Sequence, residues 1–168
     1  MNTPTASSPQ HITGDPTDFA AQVERITNEG LLEELLALYA PDAVADWIMD
    51  GAHDRHEGIA AIRDAATELF TVCTALRLRV RKTVVCAGSD TVVITWTGGF
   101  ADADRQVGTE IWTYRDGLIV HHQMHSYLDV RASSSPVATL RLLTVAPKVV
   151  VTLAKYRLQR TLNTRRQR

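Results

Sequence analysis

Three of the chain's six histidines, His121, His122 and His125, crowd into one short segment together with the carboxylate of Glu110. The segment runs from Gly108 to Asp129 and reads GTEIWTYRDGLIVHHQMHSYLD. An imidazole with an ordinary pKa near ~6.5 can give or take a proton at neutral pH. A carboxyl group beside it can act as a second acid or base. Held neutral by an apolar site, it can instead donate a hydrogen bond to a developing oxyanion. General acid–base chemistry uses this pair of groups. The same residues also suit a hydrogen-bonded histidine and an edge carboxylate of purely structural role.

What must position them is a hairpin. Two runs of β-branched, aromatic and aliphatic residues flank Arg115-Asp116-Gly117, and Asp-Gly readily supplies the positive φ angles of a tight turn. Alternation puts Glu110, Trp112 and Tyr114 on one face of the first arm and Ile111 and Thr113 on the other. A hairpin of this make-up suits the wall of a half-buried pocket. Trp47, Met49, Trp96, Trp112 and Met124 are the further residues expected to line it, although aromatic residues at strand spacing also build plain cores.

In chain order, residues 1–14 are rich in Ser, Thr and Pro and are expected to be a disordered leader. Asp15-Pro16 starts a helix with Phe19, Val23 and Ile26 at helical spacing. A second helix is expected over Leu31 to Tyr39, stopped by Pro41-Asp42. A short strand follows over Ala43 to Met49, then a polar loop over Asp50 to Gly58 and a third helix over Ile59 to Phe70. Strands are expected over Leu76 to Cys86, Thr91 to Phe100 and Gln106 to Tyr114, the last opening the hairpin. The fold class is therefore α+β: a curled, mostly antiparallel sheet with N-terminal helices on one face, enclosing a cone-shaped pocket.

The runs NEGLLEELLALYAPDAVADW, HEGIAAIRDA and EIWTYRDGLIVHHQ, in this order and spacing, resemble the SnoaL-like group of the nuclear transport factor 2-like superfamily. The resemblance covers residues 16 to 130 and implies the cone fold. It implies much less about function, because the fold carries cyclases, isomerases, dehydratases, epoxide hydrolases and non-catalytic binders. It places His122 where many members carry a cavity histidine. Met124 stands where an acidic residue is common, and methionine exchanges no proton. Glu110 resembles the oxyanion-hole acid of ketosteroid isomerases. The helix tyrosine and base aspartate of those enzymes correspond here to Val23 and Trp47, and Asp46 is turned to the other face by alternation. The Asp-Arg-Asp set of limonene-epoxide-hydrolase-like enzymes has no counterpart in VVITWTGGF.

On this reading His122 and Glu110 carry cofactor-independent cyclisation, isomerisation or dehydration of an apolar carbonyl or hydroxyl compound. The alternative is a ligand-binding or association module. No metal is expected: His53 and His56 beside Asp50 and Asp54 lack a third ligand from another element. There is no phosphate-binding glycine loop, serine-nucleophile motif or CxxC, so no cofactor is expected either.

With 45% hydrophobic and 22% charged residues, the chain has an ordinary globular composition. Two unpaired-looking cysteines and no signal-like start lead to a cytoplasmic expectation. All 19 acidic residues precede position 130, whereas nine basic and no acidic residues follow it. The stretch 131–168 is expected to be a basic helical extension: Ser133-Ser134-Ser135-Pro136 is a linker and helix start, and Val137 to Val145 and Pro147 to Leu162 form one helix kinked at Pro147 or two short ones. Val150, Val151, Leu153, Leu158 and Leu162 lie on its apolar side. It is expected to cap the cone or join a homodimer, with a membrane or an acidic partner as the rival. A lone tyrosine, Tyr156, argues against nucleic acid.

Overall fold

In the computed structural model, which describes residues 14–101, 104–132 and 135–166, Asp15 caps helix α1 (Pro16–Glu29) by accepting from the Thr17 amide at 2.7 Å. Gly30, at φ 72°, ends it in the left-handed conformation that glycine adopts without strain. Ala20, Val23 and Ile26 are its buried stripe. The leader expected at residues 1–14 lies, Gly14 apart, outside the described residues, as do Ser133 and Ser134 of the expected linker.

Helix α2 is shorter than its apolar spacing suggests, covering only Leu32–Leu36. Strand β1 (Tyr39–Met49) already begins at Tyr39, so Pro41 sits inside a strand and does not stop a helix. The backbone explains this. Tyr39 pairs with Ile119, the Ile119 amide donates to Leu38 O at 2.8 Å, and the register then slips between Tyr39 and Val44. A proline, having no N–H, is tolerated at such an irregularity.

The expected polar loop is strand β2 (Ala52–Glu57), antiparallel to β1. Asp50 and Gly51, at φ 50° and 90°, make a second Asp-Gly turn. β2 contains hardly any apolar residue because it is an exposed edge with no core face to fill. Helix α3 (Gly58–Ala75) follows and buries Ile62 and Ala66. Strands β3 (Leu78–Ala87), β4 (Thr91–Phe100), β5 (Gln106–Arg115) and β6 (Leu118–Tyr127) form an antiparallel meander. β6 then pairs in parallel with β1, which gives a six-stranded mixed sheet in the order β2-β1-β6-β5-β4-β3.

The outer edge of β3 is sealed by α1. Asn28 Nδ2 donates to Val80 O at 2.9 Å, the Val80 amide donates to Asn28 Oδ1 at 2.8 Å, and the Lys82 amide donates to Glu24 Oε2 at 2.7 Å. The core lies between the sheet's concave face and the helices, with Trp112, Ile26, Ile62, Ile94 and Ile119 fully buried.

The described chain divides into two compact units, one ending at Val130 and one beginning at Arg131. The second consists of α4 (Pro136–Val145) and α5 (Pro147–Arg166). They are separated at Ala146, since the residue before a proline avoids the helical region. Large apolar side chains of this unit are exposed in the chain, among them Leu140, Val145 and Val151. The side chains of Leu158 and Leu162 lie outside what the structure describes. Among the described residues no helix is long and apolar enough to cross a membrane.

One glycine shapes the cone wall. A Cβ at Gly108 would lie 2.3 Å from Trp96 Cε2, so the indole occupies the space a side chain would fill. Gly108→Ala is therefore expected to displace Trp96 and destabilise the fold by about 1–3 kcal/mol, the usual range for overpacking. Gly88→Ala, where the nearest atom is 3.9 Å away, should stay within about 0.5 kcal/mol. Urea denaturation of the two variants checks the contrast.

Candidate active site

Strand alternation assembles the site. His122, Met124 and Ser126 share the concave face of β6. Cross-strand register sets them beside Trp112, Glu110 and Gly108 of β5, and beside Ala45, Trp47 and Met49 of β1. On β4, Trp96 faces Gly108, and on β3 Lys82 faces Trp96. The cavity they enclose is about 90 Å³. That is below the ~300–1,000 Å³ typical of sites for drug-sized ligands, and it suits a compact molecule. Trp47, Met49, Trp96, Glu110, Trp112, His122 and Met124 all line it. Half-buried Phe100 and exposed Leu128 line it as well.

His122 is held on three sides. Its ring stacks on Trp112 with centroids 3.6 Å apart and planes 10° from parallel. Its Nδ1 lies 2.6 Å from the Tyr39 hydroxyl and 3.4 Å from Trp47 Nε1. An indole N–H can only donate. Burial, aided by the charge of Glu110, raises the Tyr39 phenol well above its ordinary range, so it stays protonated and, facing a nitrogen that already accepts from the indole, donates to it. With donors on that side, Nδ1 is the acceptor and the ring proton resides on Nε2. Nε2 is buried and has no hydrogen-bond partner among the described residues.

Burial, reinforced by the positive charge of Lys82, also pushes the His122 pKa well below the usual histidine range. At neutral pH this residue is therefore a neutral hydrogen-bond donor aimed into the cavity. It is not an imidazole poised to exchange a proton near pH 6.5.

Glu110 differs from the neutral acid of the oxyanion-hole analogy. Lys82 Nζ lies 2.5 Å from Glu110 Oε1, and Trp112 Nε1 donates to Oε2 at 3.2 Å. The Lys82 and Glu110 side chains are only 4% and 5% exposed, so this is a buried ion pair. Both carboxylate oxygens are engaged as acceptors, the opposite of the donor role an oxyanion hole needs. Lys82 is the participant that reading the sequence misses. The signal is present, since Leu78, Val80 and Lys82 follow one another on the same face of β3, where the alternation brings a lysine inward.

The remaining histidines belong elsewhere. Asp46 faces away from the cavity, as alternation requires. It bonds His53 Nε2 at 2.9 Å, His121 Nε2 at 2.8 Å and Arg55 Nη1 at 2.9 Å. Hydrogen bonds from His121 and His53 lower its pKa to about 2. His56 packs edge-on against Trp47, and His125 is exposed. Among the described residues no three His, Cys, Asp or Glu side chains are arranged to hold a metal.

Residues 19–122 match the SnoaL-like domain family. Among solved structures, the chain is similar to a SnoaL-like protein of unknown function from Burkholderia thailandensis. The two are 21% identical with a TM-score of 0.51, over 65% of this chain and 95% of that one. It is also similar to a candidate ketosteroid isomerase from Kribbella flavida, at 18% identity and a TM-score of 0.50, over 72% of this chain and 82% of that one. A candidate polyketide cyclase from Sinorhizobium meliloti gives 22% identity and a TM-score of 0.48, over 64% and 94% of the respective chains. At these identities the first two likenesses are ones of fold. No curated protein sequence matches the chain.

Two predictions follow from the electrostatics. Lys82→Met leaves a buried carboxylate without its counter-charge and should destabilise the domain by about 3–5 kcal/mol. Adding Glu110→Gln should recover most of that loss, because the cost lies in the orphaned charge. Denaturant titrations of the single and double variants measure both.

The second concerns pH. The unfolded chain protonates His122 near pH ~6.5 while the folded chain does not, so stability should fall as pH drops below that value. Asp46 adds a separate loss, confined to the window from about pH 4 down to about 2. His122→Gln should flatten the first window and Asp46→Asn the second, as read from melting temperature against pH.

Proposed function

Because the chain belongs to the SnoaL-like domain family, we propose that its cone binds a compact, neutral carbonyl compound and catalyses proton transfer at the carbon beside the carbonyl. The observation that carries this reading is the unpartnered, buried Nε2–H of His122 in a predominantly apolar cavity beside the Glu110 carboxylate. The carbonyl oxygen accepts from His122, and the Glu110 carboxylate takes the adjacent C–H proton. Negative charge thus moves from the carboxylate to the substrate oxygen, where the neutral imidazole meets it. Lys82 and the Trp112 indole hold Glu110 in place. The proton held on Glu110 is then returned in one of three ways: to the remote carbon of a conjugated dienolate, to a departing β-hydroxyl group that leaves as water, or to the alkoxide formed when the enolate attacks a second carbonyl. These outcomes are isomerisation, dehydration and cyclisation, and none of them consumes a redox equivalent.

Relative to the simplest reading of the sequence, the roles are exchanged: Glu110 is the base and His122 the polariser. A second reading, a non-catalytic ligand-binding module, draws on the engagement of both Glu110 oxygens and on Met124, which exchanges no proton.

Exchange of α-protons in deuterated water separates the two, with cyclohexanone as the probe and NMR as the readout. The enzyme reading expects exchange above the buffer rate. Glu110→Gln should reduce it by about 10²–10⁴-fold and His122→Gln by about 10²–10³-fold, with folding verified by circular dichroism. The rate should show no inflection between pH 8 and 6 arising from His122. Binding without exchange would support the module and remove the enzyme reading.

A further inference from the structure

Besides His122 Nε2, two more buried polar atoms that line the cavity lack a hydrogen-bond partner among the described residues, Ser126 Oγ and Trp96 Nε1. Ser126 is 4% exposed and Trp96 7%, so neither has water as an easy substitute. Leaving a buried donor or acceptor unpaired carries a full desolvation penalty, and folded proteins rarely leave several in one place without use for them.

Their placement is specific. Ser126 and Trp96 both register against Gly108, one from each neighbouring strand. Because Gly108 has no side chain, the Trp96 indole lies across it, with Nε1 2.5 Å from where a Cβ would stand. Glycine thus lets the indole fill the space beside the strand, and its donor and the Ser126 hydroxyl both line the cavity without bonding each other. His122 lies four positions from Ser126 on β6, on the same face, with Met124 between them. At ~3.3 Å per residue their backbones are roughly 13 Å apart. The cavity therefore has an unpartnered polar atom toward each end, with Met124 and the mutually neutralised Lys82–Glu110 pair between them.

Charge narrows the class further. Lys82 and Glu110, the two charged side chains lining the cavity, neutralise each other. A carboxylate or ammonium on the ligand would be desolvated without a counter-ion.

We infer that Trp96 Nε1–H and Ser126 Oγ form a second anchor, and that the site selects a neutral, apolar molecule with two hydrogen-bond acceptors at opposite ends. One acceptor sits at His122 and the other at Trp96 Nε1 and Ser126 Oγ. The inference rests on the proposed carbonyl site and extends it with two specificity-determining residues that play no part in the proton transfer.

The test compares cyclohexanone, 1,4-cyclohexanedione and cyclohexanecarboxylate, with dissociation constants from NMR titration of the full chain. The indole N–H signals are followed as well, that of Trp96 being identified by its loss in Trp96→Phe. The dione should bind about 2- to 10-fold more tightly than the monoketone, the contribution of one net hydrogen bond. The carboxylate should bind least. The Trp96 indole proton should shift with the dione alone. Ser126→Ala and Trp96→Phe should each reduce the dione's advantage without weakening cyclohexanone, whereas His122→Gln should weaken both ketones. Ser126→Ala removes one oxygen from the wall and keeps the test valid if Trp96→Phe perturbs the fold. Equal binding of dione and monoketone, with the Trp96 signal unmoved, overturns the second anchor. If His122→Gln still weakens both ketones in that case, the carbonyl site itself stands. If the ketones bind but His122→Gln leaves them unaffected, or if neither binds, the carbonyl site falls and the second anchor with it.

Discussion

The buried pairing of Lys82 with Glu110 is the constraint around which the cone is built. Two opposite charges, each almost wholly removed from water, are tolerable only when the geometry between them is close and their other hydrogen-bonding positions are used. The fold meets this from both sides. Trp112 donates to the far carboxylate oxygen, while Glu24 of the first helix holds the lysine's own backbone amide. α1 therefore seals the sheet edge and also fixes the strand position from which the ammonium reaches inward. A cavity whose charges cancel internally keeps its low dielectric, and hydrogen bonds offered inside it are correspondingly strong.

His122 shows how neighbours decide what a titratable group can do. An isolated imidazole is an acid–base group at neutral pH. Here a phenol and an indole both turn hydrogens toward one ring nitrogen, a tryptophan covers one ring face, and a lysine charge opposes protonation. The result is a fixed neutral tautomer. Tyr39 and Trp47, which impose it, both come from β1, the strand that lies parallel to β6.

Much of this is legible in the residues. Alternation alone places Glu110 and Trp112 together on β5 and turns Asp46 outward on β1. The Asp116-Gly117 turn is readable because apolar runs flank it. The identical Asp50-Gly51 turn is not, because β2 is an edge strand whose polar residues copy a loop. Pro41 reads as a helix stop, yet a local slip in register gives it a place in β1. The protonation state of His122 lies beyond any spacing argument. It depends on two side chains some eighty residues away in sequence, brought within reach by the parallel pairing. Lys82 falls between these cases: its face follows from alternation, but its partner requires the register of three strands.

The parallel contact between β1 and β6 also dictates an order of events during folding. β3 to β6 connect through short turns and can zip together from neighbouring segments. Tyr39 and Ile119 must instead close a loop of roughly eighty residues before their pairing contributes anything. Contacts of such sequence separation form late and slow the overall rate. The clamp on His122 is therefore among the last features to appear. On a ribosome, the N-terminal helices and β1 would wait with their apolar faces uncovered until β6 has emerged. The architecture that gives the site its fixed tautomer thus ties its maturation to synthesis of nearly the whole cone, and chaperones have their longest opportunity to bind during that interval.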